Sequence, residues 1–204
     1  MFGVNQRRTR RIGGRETMIW PFAKARFGRA RKRSGKRFRK NQDGSAAIEF
    51  AMIAAPFLYL LMAIFETGFM LFSEYVIENG TAQAARMIRT GQIQTQSMSQ
   101  NSFKTLVCGN LASFLDCNNK LYVDVRKWTA FADITSSDPI GSNGELSSQA
   151  KNGGFDPGGP MDVITVRVYY VWDLMTPGIS MLNNLANGRR VLTAGAAFRN
   201  EPYE

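Results

Sequence analysis

The chain has 204 residues, of which 44% are hydrophobic and 21% charged, so its composition excludes a chain that is disordered throughout. It contains no histidine and only two cysteines. These counts exclude a histidine-based catalytic triad, a histidine-ligated zinc ion and a metal site of four cysteines. We predict a protein without a catalytic residue, a bound cofactor or a metal centre.

The positive charge is concentrated at the N-terminus. Residues 1–44 hold 15 Lys and Arg against 2 Asp and Glu, a net charge of +13, whereas residues 45–204 hold 11 against 14, a net charge of −3. Such an arm either contacts nucleic acid or flanks a membrane segment. Because an apolar run follows within a few residues, we predict a cytoplasmic membrane flank and no nucleic-acid partner. Met18 offers an alternative start to Met1.

The apolar run extends from Phe50 to Phe65 and contains no charged residue. About 20 helical residues cross the hydrocarbon core of a bilayer, so a helix beginning near Ser45 would leave it near Phe65. We predict a transmembrane helix that includes Ala46 and Pro56, since membrane helices tolerate proline better than soluble ones. The excess of Lys and Arg before the run places the N-terminus in the cytoplasm and the body outside.

Two carboxylates lie at the ends of this segment. Glu49 stands where the apolar run begins, and it is interpreted either as an interfacial residue that reaches water or as a partner for a cation. Glu66 stands where the span should end, and it is interpreted either as a boundary residue that reaches water or as a contact between subunits.

The sequence around Gly44 resembles the cleavage site of type IV pilins and pseudopilins. The segment Gly44-Ser-Ala-Ala-Ile-Glu-Phe50 follows a basic arm and precedes an apolar helix. The resemblance implies that a prepilin peptidase cuts after Gly44, leaving Ser45 as the new N-terminus and Glu49 at the fifth position, with Phe50 next to it.

Further motifs are similar to the TadE/TadG-like family of the tight-adherence (Tad) pilus system. They are the stretch from Ala47 to Pro56, Ile64-Phe-Glu-Thr-Gly68, and Ala84-Ala-Arg-Met-Ile-Arg-Thr-Gly-Gln92. The resemblance implies a pilin-like, non-catalytic protein of the inner membrane, whose partners are a prepilin peptidase and other pilus assembly proteins or pilins. The alternative is an unprocessed signal-anchored extracytoplasmic domain with a binding or structural role.

The helical pattern continues beyond the predicted span. It ends at Gly91, which is a natural helix stop. We therefore divide the chain into a basic arm or leader over residues 1–44, a transmembrane and continuing helix over residues 45–91, and an extracytoplasmic α+β body over residues 92–204.

The body begins with a predicted amphipathic helix from Ser102 to Asp116, which carries Cys108. On a continuous helix Cys108 and Cys117 would lie about 13 Å apart, too far for a disulfide. A break at Gly109-Asn110 would bring them together, and an even pair outside the cytoplasm favours bonding. We predict a disulfide, with two separate thiols as the alternative.

Three alternating stretches predict an antiparallel sheet. They are residues 121–126, 163–172 and 191–198. Residues 135–160 are predicted to form a long, mobile surface loop, and residues 179–185 a short helix. Ser148-Gln-Ala-Lys151 matches a Ser-x-x-Lys pattern by its letters alone, because no companion motif accompanies it.

Overall fold

A computed structural model of the protein describes residues 43–203, so the predictions made for the basic arm lie outside the described residues. From residue 47 onward the described chain forms one compact unit. A long helix is followed by short helices and a three-stranded antiparallel sheet. The predicted α+β fold class is confirmed.

Helix α1 runs from Asp43 to Arg89 and contains 47 residues. The prediction of one helix through the span and beyond is confirmed. Gly80 lies inside this helix, where the absence of a side chain serves packing. A Cβ atom at Gly80 would lie 2.7 Å from Cδ2 of Leu111, so the missing side chain makes room for a neighbouring segment. Gly91 follows the helix with a φ of +79°, and the ring of Tyr203 occupies the space that a side chain there would need.

Three short helices lead into the sheet. They are α2 (Gln92–Thr95), α3 (Gln100–Gly109) and α4 (Cys117–Lys120). The predicted helix from Ser102 to Asp116 is therefore wrong at its C-terminal end. Glycine and asparagine are weak helix formers, and the carboxylate of Asp116 caps α4 by accepting the N–H groups of Asn118 and Asn119.

The sheet contains β1 (Leu121–Trp128), β2 (Val163–Asp173) and β3 (Arg189–Arg199) in that spatial order. Both pairs are antiparallel, and the three predicted strands are confirmed with slightly wider bounds. The central strand is buried along almost its whole length. The alternation of apolar residues with polar or small ones predicted these strands, since successive side chains of a strand point to opposite faces.

Residues 135–160 were predicted to form a long, mobile surface loop, but the structure attaches part of this segment to the sheet. It contains the short helix α5 (Ser148–Lys151), and its backbone pairs with β1. The N–H of Val125 donates to the carbonyl of Gly154 at 2.8 Å, and the buried carboxylate of Asp124 accepts the N–H of Gly154 at 2.9 Å. These contacts anchor the segment on the sheet.

The connection between β2 and β3 also differs from the prediction. A helix was expected over residues 179–185, but the structure has α6 at Pro177–Ser180 and a 3-10 turn at Ala186–Gly188. Proline favours the first turn of a helix, which explains why α6 begins at Pro177.

The sheet lies along the second part of α1. Buried positions recur on α1 every three or four residues, at Glu66, Met70, Ser73, Ile77, Gly80, Ala84 and Ile88. The end of β2 lies beside Glu66, because Met175 contacts it, and the chain after β3 reaches the other end, where the N–H of Glu201 donates to the carbonyl of Arg89 at 2.9 Å. One stripe of the helix thus forms part of the core of the body.

Candidate membrane segment and its junction with the body

The first part of α1 exposes almost all of its side chains, and apart from Glu49 these are apolar. We call residues 47–65 the lower half of α1 and residues 66–89 its upper half. Exposed large side chains of the lower half are Ile48, Phe50, Met52, Ile53, Phe57, Leu58, Tyr59, Leu60, Met62, Ile64 and Phe65. Soluble monomers rarely expose an apolar surface of this extent. An apolar solvent is the natural environment of this half.

The length of the lower half agrees with a membrane span. Nineteen residues of helix cover about 28 Å, close to the thickness of about 30 Å of a hydrocarbon core. Within residues 43–203, one helix is long and apolar enough to cross a membrane, and its most apolar window is not buried by the described chain. Pro56 lies inside this helix, which continues past it.

The residues of the predicted cleavage site lie in the first turns of α1. Gly44, Ser45 and Ala46 are exposed, and so are Glu49 and Phe50 about one turn further on. These residues therefore lie on the surface of the described chain. Cleavage after Gly44 and the roles of Ser45 and Glu49 remain predictions.

Glu66 marks the boundary between the two halves. Its side chain is 6% exposed, and its carboxylate accepts hydrogen bonds from the N–H groups of Met175 and Thr176 and from the hydroxyl of Thr176. Gly68, two residues further on, stays exposed. Neither interpretation of Glu66 drawn from the sequence included this contact, because its partners are 109 and 110 residues away. Glu66 fastens the β2–β3 connection to the helix where the lower half ends.

A cluster of aromatic rings lies next to this junction. The rings of Phe69 and Phe114 have centroids 5.0 Å apart, Phe69 and Trp172 meet edge to face at 5.3 Å, and Phe72 stacks on Phe114 at 6.1 Å. Tryptophan and tyrosine are enriched where membrane segments enter the interface with water, and Trp172 is such a residue. The sequence analysis missed this cluster, since its members come from three distant segments.

An ion pair between Lys120 and Asp173 lies beside this cluster. The ammonium of Lys120 lies 2.6 Å from Oδ2 of Asp173, and the hydrogen bond with Asp173 raises the pKa of Lys120. Burial raises the pKa of Tyr170, whose hydroxyl accepts the N–H of Asp116 at 3.0 Å. Lys120 and Asp173 therefore compensate each other's charge at neutral pH.

The structure places Cys108 and Cys117 together as a disulfide pair, with their Cα atoms 5.9 Å apart. This proximity arises because α3 ends at Gly109 and the chain turns back before α4. The segment between them carries Leu111, which packs against Gly80. A covalent link here would hold that segment against α1.

The motif that matches a known family coincides with this helix. A family model described as TadE-like protein matches residues 44–86. This segment belongs to the TadE-like family. The TadE-like segment begins one residue after the start of α1 and ends three residues before its end, so it includes the lower half and most of the upper half. Comparisons with curated proteins and with solved structures found no significant match.

Proposed function

We propose that this protein is a membrane-anchored, pilin-like component for the assembly of a Tad-type pilus and that it has no catalytic activity. The observation that carries the proposal is the match of the TadE-like segment to a helix with an uncovered apolar lower half and an upper half built into a small α+β body. This division suits a subunit that is held in the inner membrane by one helix and presents its body outside the cytoplasm.

The distribution of charge supports this orientation. The net charge of +13 before the apolar helix, against −3 after it, favours a cytoplasmic N-terminus. The proposed partners are the inner membrane, a prepilin peptidase and other pilins or pilus assembly proteins. The rival function is a signal anchor that is never processed and that holds a binding or structural domain outside the cytoplasm.

Processing after Gly44 distinguishes the two functions. A glycine lets an extended peptide enter a protease active site, and removal of residues 1–44 would discard the basic arm once it has oriented the chain. The new amine of Ser45 would be a cation near the membrane edge, where it could pair with a carboxylate such as that of Glu49, on the same or a neighbouring chain.

The test is to express the full chain with a functional prepilin peptidase and to measure the mass and N-terminal residue of the membrane protein. We expect a mature chain that begins at Ser45. Gly44→Leu should leave the full-length protein in the membrane. Gly68→Leu is the matched control, because among the described residues neither glycine has an atom within 4 Å of an added Cβ. This control should be cut like the native chain.

Retention of residues 18–44 in the presence of an active peptidase would reject the pilin-like function and favour the unprocessed anchor. The same conclusion would follow if Gly44→Leu were cut at the same rate as Gly68→Leu, because the enzyme would then not be recognising this site.

A further inference from the structure

The end of the body beside Glu66 presents apolar side chains that the protein leaves uncovered. We call Phe69, Phe72, Phe114, Met175 and Met181 the basal surface. Met175 is 70% exposed and Met181 is 86% exposed, which are high values for apolar residues outside α1. Phe69, Phe114 and Met175 line one groove, and Ser180, the residue before Met181, lies beside Ala63, Ile64 and Thr67 of α1. Exposed apolar side chains at one level of the protein mark an interaction surface.

The level of the basal surface follows from Glu66. The carboxylate holds the backbone of Met175 and Thr176 at the residue directly after the lower half of α1. If the lower half spans the hydrocarbon core, Glu66 lies at its outer boundary. Phe69 and Phe72 lie about 4.5 and 9 Å further along the helix, within or just beyond the headgroup layer. The basal surface then faces the lipid headgroups.

The chemistry of the β2–β3 connection suits this position. The 15 residues from Leu174 to Gly188 contain no Asp, Glu, Lys or Arg, although Asp173 and Arg189 flank them on both sides. A groove of about 290 Å³ lies between this connection and α1, and its lining is largely apolar: Met62, Phe65, Glu66, Phe69, Trp172 and Met175. An uncharged connection beside an apolar groove is compatible with acyl chains and with the headgroup boundary.

We propose that the basal surface inserts into the outer leaflet of the same membrane that α1 spans, with Met175 and Met181 entering the boundary between headgroups and acyl chains. This inference rests on the proposed membrane anchor, and lipid is its occupant because the surface continues directly from the spanning face of α1. The basal surface would then hold the body against the bilayer, with Glu66 fixing the β2–β3 connection at that level, and the body would not rotate freely above the membrane.

The opposite end of the body provides an internal reference. From Asp173 to Val163, strand β2 extends for about 33 Å, so Val163 and the nearby Met161 lie far from the junction. Met161 is 55% exposed, less than either basal methionine. In water Met161 should therefore be oxidised no faster than Met175 or Met181. Insertion into lipid would reverse this order.

The experiment uses the native full chain in vesicles of phosphatidylethanolamine and phosphatidylglycerol. A charged, water-soluble oxidant such as periodate is added, and sulfoxide formation at each methionine is followed by mass spectrometry. We expect Met175 and Met181 to be oxidised several-fold more slowly than Met161. Met62 in the lower half reports on the anchor itself and should be protected. A lipid with a photoreactive group in its acyl chain should label the peptide that contains Met175 and Met181.

Different failures have different meanings. Protection of Met62 together with rapid oxidation of Met175 and Met181 would overturn the insertion and leave the anchor intact. Rapid oxidation of Met62 would overturn both. Protection that disappears when the protein is diluted in excess lipid, without photolabelling, would assign the surface to a second copy of this chain and would also overturn the proposal.

Discussion

The lower and upper halves of α1 are parts of one continuous helix, but their surroundings differ. In the lower half almost every side chain faces away from the protein, and in the upper half one stripe is buried against the sheet. Ile53 is 71% exposed and Ile88 is completely buried, although both are isoleucines of the same helix. The comparison teaches that both halves form the same helix, whereas only the upper half contributes buried side chains to the body.

The largest expected effect compares these two isoleucines. Ile88→Ala should destabilise the body by about 2–5 kcal/mol, because it removes buried methyl groups and leaves a cavity. Ile53→Ala is the matched control, and it should leave the unfolding of the body unchanged since no part of the body covers it. Thermal unfolding of both variants in detergent, followed by near-ultraviolet circular dichroism, measures the difference. Equal losses would show that the two halves are not energetically separate.

A smaller effect on stability is expected from the cysteine pair. It holds the segment that carries Leu111 against Gly80 of the upper half. Replacing Cys108 and Cys117 by serine should cost about 3 kcal/mol, because the unfolded chain regains the entropy that a short closed loop had removed. Non-reducing peptide mass spectrometry of exported protein should find the two cysteines linked. Insertion of the lower half into vesicles should be unaffected by the substitutions. Two free thiols in intact exported protein would contradict the prediction.

The smallest effect concerns the boundary between the halves. Glu66→Ala should cost about 1–3 kcal/mol, because the N–H groups of Met175 and Thr176 lose their acceptor. Hydrogen exchange at these two amides should accelerate, whereas Glu78→Ala, at an exposed position of the same helix, should leave them protected. Unchanged protection of both amides in Glu66→Ala would show that Glu66 does not fasten the connection.

These variants also separate the two roles of the helix. If Ile88→Ala destabilises the body and Ile53→Ala does not, the stabilising contacts of α1 lie in the upper half. If Glu66→Ala accelerates hydrogen exchange only at Met175 and Thr176, the boundary between the halves lies at Glu66. The lower half would then contribute anchoring and no measurable stability to the body. For a subunit that leaves a membrane during assembly, such separation would let the body stay folded while the surroundings of the anchor change.

Local patterns in the sequence determined the elements of this protein. A run of apolar residues without charge predicted the helix, Gly91 predicted its end, and alternation predicted the three strands. These signals are local because helix and strand periodicities repeat within a few residues. The resemblance to the TadE-like family also depended on one contiguous stretch, which the family model then matched.

Only the tertiary structure decided what surrounds Glu66. Its acceptor role depends on two backbone N–H groups more than 100 residues away, and no local pattern records which distant segment will supply them. The same reason applies to residues 135–160, which their composition described as a loop but which the pairing of Val125 with Phe155 anchors on β1. Spacing along the chain determines periodicity, whereas contacts between distant segments depend on how the whole core packs.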